Sequence, residues 1–162
     1  MDNSALSKIV SDVVAKVQQN QCCGCSITLA QAKRLINKVE EEAARMGVNA
    51  VVAVSNTGAR PVAVECMDDS YIASYDVALN KAYTVVALKM STIQLKSLSQ
   101  PGQSLYGIQF TNGGQIVIFG GGDPLVYNGT IVGGLGVSGG SEEQDTALSA
   151  YGASFVDEIM RG

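Results

Sequence analysis

A glycine-rich stretch, residues 107–141, constrains the fold of this chain more than any other. Most of the eighteen glycines lie in it, and short β-branched or aromatic runs separate them at residues 115–119, 125–127 and 130–137. Val, Ile and Phe favour a pleated, half-buried surface, whereas glycine permits tight turns and close approach of the backbone. The pattern predicts sheet strands whose turns expose backbone to a ligand or to a neighbouring element.

Length, composition and charge limit the classes of protein to which this chain can belong. The 162 residues suffice for one domain with a real core, and 46% of them are apolar. The net charge is −4 with no cluster of Lys or Arg, which argues against nucleic acid as a partner. No apolar run reaches the ~18–20 residues of a membrane span. The N-terminus lacks the basic region of a secretory signal, so we expect a cytoplasmic protein.

Histidine is absent from the whole chain. This removes the commonest general base, metal ligand and haem ligand in one step. Any catalysis must use other side chains or a cofactor, and any haem must be held without imidazole, by Tyr, Met, Cys or Lys.

The N-terminal segment divides from the rest at a cysteine-containing break. Residues 1–20 carry Leu, Ile and Val at helical spacing, which predicts a short amphipathic helix that either packs on its own domain or acts as a docking peptide. Residues 21–27 then form a linker with three cysteines, Cys22, Cys23 and Cys25. With Cys66 they could supply thiolates to a metal, but a plain linker with reduced thiols is favoured.

The main domain, residues 28–162, shows repeated helix signals. Capping boxes at residues 28–31, 91–94 and 141–144 each predict a helix start. A further helix is predicted to open at residues 68–70 with Ile72 and Tyr75 on its apolar side, and the last is predicted to run to about Met160 and to bury Ala147.

Strand signals lie between these helices. Residues 48–55 and 59–67 predict a hairpin around the turn at residues 56–58. Pro61 lacks a donor N–H, which favours an edge position for the second strand. The sheet portion of the glycine-rich stretch is predicted to begin at residues 105–110. Short turns between strands predict an antiparallel sheet covered by helices, an α/β (α+β) fold.

Residues 134–139 match the dinucleotide-binding pattern G-x-G-x-x-G, but their context is wrong. Only one further helix is predicted after them, so we expect no βαβ unit. The next helix begins with Glu142, Glu143 and Asp145, carboxylates that would repel a pyrophosphate from the helix N-terminus. We expect either close helix–sheet packing or a small cleft at this junction.

Lys81 falls within the apolar stripe of its predicted helix rather than opposite it. One interpretation is an alkyl stem that carries its ammonium group to the surface. The other is a cation that faces a cleft. The sequence favours neither.

Four segments of the chain resemble the GlcG/HbpS family, whose members include a glycolate-operon protein, a secreted haem-binding protein and the C-terminal domain of PduO-type proteins. They are ITLAQAKRLINKVEEEAARMGVNAVVAVSNTGARPVAV, SYDVALNKAYTVVALKMST, PGQSLYGIQ and FGGGDPLVYNGTIVGGLGVSGGSEEQD, which together span about residues 27–161. Lys81 matches a lysine of the family pattern. The resemblance implies an antiparallel sheet of about five strands flanked by helices, and homo-oligomers.

The resemblance also implies a function, a non-enzymatic accessory protein that binds a tetrapyrrole, corrinoid or haem, or another small cofactor. The absence of histidine means that a family haem-ligating histidine has no counterpart here. With the glycine block, the resemblance predicts a cleft whose cofactor-binding candidates are Lys81, Phe119, Gly121, Gly122, Asp123, Pro124, Ser138, Gly139 and Asp145.

Two other functions stay open. One is an enzyme of diol or glycolate metabolism, with Lys81, Asp123, Tyr127 and Asp145 as candidate catalytic residues. The other is a scaffold protein without a ligand. Residues 1–20 resemble the encapsulation peptides of bacterial microcompartment cargo, which implies a shell or cargo protein as partner and a location inside such a compartment.

Overall fold

The computed structural model describes residues 26–162. The helices are α1 (Leu29–Arg45), α2 (Ser74–Leu88), α3 (Thr92–Leu98), α4 (Glu142–Ser154) and α5 (Val156–Arg161). The strands are β1 (Val51–Ser55), β2 (Pro61–Cys66), β3 (Gly122–Tyr127) and β4 (Thr130–Ser138). The predictions for residues 1–20 and for Cys22, Cys23 and Cys25 lie outside the described residues and stay predictions.

The three capping boxes start helices as predicted. Thr28, Ser91 and Ser141 each accept a hydrogen bond from the backbone N–H three residues on, and the glutamine there accepts one from the cap backbone. These reciprocal bonds satisfy amide groups that have no partner inside the helix. In α1 the predicted apolar stripe is buried through Ala32, Leu35, Ile36, Val39 and Ala43.

The sheet is antiparallel throughout, with strand order β2-β1-β4-β3. The predicted hairpin forms β1 and β2, and β2 lies at an edge, as Pro61 indicated. The α+β class is therefore confirmed, with four strands in the described residues rather than about five.

The missing strand is the one predicted at residues 115–119. The Val117 N–H donates instead to the Thr84 hydroxyl of α2, at 3.0 Å, so this segment runs along a helix and pairs with no strand. Residues 105–110 are also not sheet. They form turns that end in a short 3-10 segment, Ile108–Phe110, because Gly107 takes a φ of 86° and turns the chain away from an extended path.

Two helix boundaries differ from the prediction. Helix α2 begins at Ser74 rather than near residue 68, because Asp69 adopts a left-handed φ of 61° that no right-handed helix accommodates. Ile72 is consequently 96% exposed and Tyr75 is 47% exposed, not buried. The last predicted helix is two helices, which meet at Phe155, and Ala147 lies on the exposed face of α4.

The sheet separates two helical layers. Helices α1, α4 and α5 cover one face, where Val52, Val54, Leu135 and Val137 point into the larger core. Helix α2 covers the other face, packed on Val51 and Ala53. No helix of the described residues is long and apolar enough to cross a membrane.

Helix α2 lies unusually close to β4. A Cβ added to Gly136 would stand 2.1 Å from the carbonyl oxygen of Ala78, and one added to Gly134 would stand 2.5 Å from that of Ala82. The Ser55 hydroxyl also donates to the Ala82 carbonyl, at 2.8 Å. The glycine string that imitates a nucleotide-binding motif is therefore a helix-packing surface, and its strand has antiparallel neighbours on both sides.

We predict that Gly136→Ala destabilises the protein, because its methyl group meets backbone atoms that cannot move independently. Overpacking of this kind costs about 1–3 kcal/mol, occasionally more. Thr130→Ala, at an exposed position of the same strand, is the control and should stay within about 0.5 kcal/mol of wild type. Urea unfolding followed by circular dichroism measures both, and equal stabilities would contradict the close packing.

Candidate functional site

Lys81 lies at the centre of the predicted site, and its side chain has no exposed surface. Its Nζ donates to Asp145 Oδ2 at 2.8 Å and to the Val137 carbonyl at 2.7 Å. The ring centroid of Phe119 lies 5.0 Å from the same nitrogen, within cation–π range. Lys81 is thus neither a surface-reaching stem nor a cation open to a cleft, but half of a buried ion pair.

The ion pair joins the two helical layers. Lys81 belongs to α2 and Asp145 to α4, and the two meet where Gly121 precedes β3. A Cβ on Gly121 would stand 2.5 Å from Lys81 Nζ, and Gly121 itself has a left-handed φ of 107°. The other carboxylate oxygen of Asp145 accepts the Gly140 N–H at 2.9 Å. Asp145 therefore fixes both the lysine and the β4–α4 junction.

Burial affects the charge of this lysine. Desolvation lowers the pKa of the Lys81 ammonium below its usual range, against the opposing attraction of Asp145. The Asp145 carboxylate and the Val137 carbonyl both accept hydrogen bonds from this nitrogen, and the carboxylate favours its charged form.

The other predicted residues lie around this pair but serve different contacts. The Gly122 N–H donates to the Thr92 hydroxyl at 2.9 Å, and Pro124 pairs with Gly134 across the sheet. Asp123 accepts a 2.6 Å hydrogen bond from Ser149. The remaining two candidates lie at the C-terminal end of β4, where the Ser138 hydroxyl donates to that of Ser74 at 3.1 Å and Gly139 lines a separate cleft.

A predominantly apolar groove near these residues runs between α3 and α4. It has a volume of about 440 Å³ and a floor of Ile93, Ala147 and Ala150. Lys96 and Glu142, which form an ion pair, stand at its rim. Gly120 packs against this wall, because a Cβ there would stand 2.0 Å from the Thr146 hydroxyl. The turn that carries Phe119 thus borders the groove.

The candidate catalytic residues make their contacts inside the protein. Within residues 26–162, no three His, Cys, Asp or Glu side chains are grouped to hold a metal ion. Of the candidate catalytic residues, Lys81 and Asp145 are shut into their ion pair, Asp123 is bonded to Ser149, and Tyr127 packs against the larger core.

Residues 27–154 match the family described as haem degrading protein HbpS-like. The chain belongs to the HbpS-like family. The match covers most of the chain and agrees with the fold, so the predicted family is confirmed.

Several relatives of this HbpS-like chain are known by sequence. An uncharacterised 15.0 kDa protein from the dhaT-dhaS intergenic region of Citrobacter freundii is 45% identical over 134 residues, 83% of this chain and 94% of that protein. PduO of Citrobacter freundii, a corrinoid adenosyltransferase, is 32% identical over 157 residues, 96% of this chain but 47% of that protein. The chain thus spans about half the length of this PduO.

Solved structures show the same HbpS-like fold. The Klebsiella pneumoniae protein ORFY is 41% identical with a TM-score of 0.78, over 80% of this chain and 90% of that one. A PduOC–haem complex is 33% identical with a TM-score of 0.76, over 80% of this chain and 94% of that one. A double mutant of HbpS from Streptomyces reticuli is 26% identical with a TM-score of 0.71, over 80% of this chain and 86% of that one.

Of the residues that line these open surfaces, the sequence predicts Gly139 as a cleft residue but misses others. The sequence predicts that Ala147 is buried, because a small apolar residue on a helix favours burial, although α4 has a separate buried stripe. Asp69 and Tyr71 were assigned to a helix. The tripeptide Asp68-Asp69-Ser70, rich in turn-forming residues, was the available signal for the turn that actually presents them.

We predict that Lys81→Met lowers the free energy of unfolding by about 3–5 kcal/mol, because it leaves the Asp145 carboxylate buried without its counter-charge. Lys96→Met is the matched control. It breaks the partly exposed pair with Glu142 and should cost about 0–1 kcal/mol. Chemical denaturation at neutral pH measures both, and equal losses would show that the buried pair contributes no more than the surface pair.

We predict that Asp123→Asn stabilises the protein at neutral pH. Burial raises the pKa of the Asp123 carboxyl above its usual value, and the Ser149 hydrogen bond opposes this only in part. The ionised form is therefore disfavoured in the folded state, and an amide oxygen still accepts from Ser149. Because the unfolded carboxyl titrates lower, the advantage of the variant should shrink as the pH falls through the folded pKa and vanish below the unfolded one. Denaturation midpoints across this range test the sign, and a stabilisation that grows toward acid pH would contradict it.

Proposed function

We propose that this HbpS-like protein is a non-enzymatic accessory protein that binds a tetrapyrrole in the groove between α3 and α4. The observation that carries the proposal is an open, largely apolar groove of about 440 Å³ in a chain 33% identical to the protein of a PduOC–haem complex. A flat macrocycle needs apolar walls for its faces, and Ile93, Ala147 and Ala150 supply such a surface.

Lys96 is the one cation among the described residues that line the groove, which also include the carboxylates of Glu142 and Glu143. Lys96 stands there, 43% exposed, with Glu142 as its present partner. The pKa of Glu142 is lowered by the hydrogen bonds from the Gly120 N–H and from Lys96, so this carboxylate stays ionised near neutral pH. A carboxylate of the ligand would either share Lys96 with Glu142 or displace Glu142 from it.

The residues that line the groove give the iron of a haem few ligands. None of the described lining residues is Tyr, Met or Cys, the chain has no histidine, and the lining lysine, Lys96, is paired with Glu142. Lys81, a candidate in the sequence, is held by Asp145 and Val137. Binding would thus depend on apolar contact with the faces of the macrocycle. Haem, a corrinoid and a metal-free porphyrin would all be able to make that contact.

The enzyme hypothesis has less support. Its lysine and one of its carboxylates, Lys81 and Asp145, satisfy each other inside the protein, with no exposed surface on the lysine side chain. A catalytic amine or acid has to reach its substrate. The contacts of this pair are those of a structural link between helices.

Binding is tested by titrating the protein with haem, with iron-free protoporphyrin IX and with cobalamin, followed by absorption spectroscopy. We predict that haem and the iron-free porphyrin bind with similar affinity, because no iron ligand is required. Ala147→Glu, which places a charge on the groove floor, should weaken both by about tenfold or more, the equivalent of 1.4 kcal/mol.

Ala30→Glu is the control, since it adds the same charge at an exposed position of α1 away from the groove. No spectral change with any of the three probes would contradict the proposed function. Binding that Ala147→Glu leaves intact would place the ligand elsewhere. Binding of haem alone would show that a side chain ligates the iron.

A further inference from the structure

A second cleft, of about 460 Å³, lies where the end of α1 meets the start of α4. Its walls come from three separate segments, which are residues 47–49, the turn with Asp69 and Tyr71, and residues 139–141 with Gln144. Gly139 brings two of these segments together, because a Cβ there would stand 2.4 Å from the Asn49 carbonyl oxygen. The cleft is separate from the groove between α3 and α4, and nothing about it depends on the proposed tetrapyrrole.

Three polar side chains of this cleft have unused hydrogen-bonding capacity. Asn49, Asp69 and Tyr71 are exposed, and within the part of the chain that the structure describes none of their side chains makes a hydrogen bond or ion pair. Tyr71 keeps 73% of its surface exposed. An amide, a carboxylate and a phenol that share one concave surface are groups that orient a small polar ligand.

The turn that carries Asp69 and Tyr71 is held in place by the backbone. The Ser70 N–H donates to the Met67 carbonyl at 3.1 Å, and the Ser74 N–H donates to the Tyr71 carbonyl at 2.9 Å. Two consecutive turns therefore present both side chains before a ligand arrives. A ligand that meets fixed groups loses less free energy to their ordering.

The electrostatics of the cleft favour a positive ligand. Asp69 is the only charged residue among the described residues that line it, with no Lys or Arg beside it. The amide groups at the start of α4 are already used, since Gln144 N–H donates to Ser141, Ser141 N–H to Gln144, and Gly140 N–H to Asp145. The cleft thus offers acceptors and a carboxylate but few free backbone donors for an anion.

We propose that this cleft binds a small organic cation that carries an ammonium group. The ammonium donates to the Asp69 carboxylate and to the amide oxygen of Asn49, and the Tyr71 ring or hydroxyl provides a third contact. A charge-assisted hydrogen bond to Asp69 supplies the main selectivity for a cation over a neutral alcohol of the same size.

The test is a two-dimensional NMR titration of the full chain with n-butylammonium chloride. We expect saturable shifts at the amides of Asn49, Asp69, Tyr71 and residues 139–140, and none of that pattern with n-butanol or with sodium chloride at equal ionic strength. Asp69→Asn should weaken binding about tenfold or more, because it removes the charge-assisted bond.

Asp69→Asn keeps the turn, since asparagine tolerates a φ near 61° as well as aspartate does. Asp68→Asn, which removes the neighbouring charge outside the cleft, is the matched control and should bind as wild type does. The proposal is overturned if n-butylammonium gives no saturable shifts, if n-butanol gives the same ones, or if Asp69→Asn binds as tightly as Asp68→Asn. Ala147→Glu should leave n-butylammonium binding intact. A failure of tetrapyrrole binding in the groove would therefore not count against a cation site in this cleft.

Discussion

The buried ion pair between Lys81 and Asp145 links parts of the fold that the sheet otherwise separates. Lys81 projects from α2 on one face of the sheet, and Asp145 projects from α4 on the other. Lys81 Nζ and Asp145 Oδ2 meet at 2.8 Å beside Gly121. Two charges withdrawn from water repay their desolvation only when every donor and acceptor finds a partner. The Val137 carbonyl and the Gly140 N–H provide those partners, so the pair fixes the end of β4 as well as the two helices.

The glycines of β4 make that geometry possible. Lys81 can reach Asp145 only because α2 lies directly on the strand, with the Ala78 carbonyl where a side chain of Gly136 would be. A larger residue would push the helix outward and carry the lysine away from its partner. The glycine-rich stretch is therefore required by a helix–sheet contact, and its resemblance to a nucleotide-binding loop is a consequence of that packing.

The local signals in the sequence predicted local structure well. The capping boxes led by Thr28, Ser91 and Ser141, the hairpin and the edge position of Pro61 all depend on residues near one another in the chain. The failures depended on distant contacts. Residues 115–119 have strand composition, but the Thr84 hydroxyl binds the Val117 amide. Lys81 was left between two interpretations because its partner, Asp145, lies 64 residues away and no periodicity connects them.

The two open surfaces also reflect the difference between residues that long-range packing requires and residues that it does not. Residues required by packing, such as Gly121 and Lys81, are shut inside, so this part of the family pattern marks the framework rather than an exposed site. The groove beside Ala147 is built from residues on the surfaces of α3 and α4, and the cleft beside Asp69 combines exposed residues with Gly139 and Gly140 of the glycine-rich stretch. In a chain without histidine, ligand chemistry has to come from such surfaces, through apolar contact in one and an uncompensated carboxylate in the other. The two surfaces therefore offer a ligand different groups, since the cleft has an acidic side chain and no lining cation, whereas the groove combines an apolar floor with the Lys96–Glu142 ion pair and Glu143.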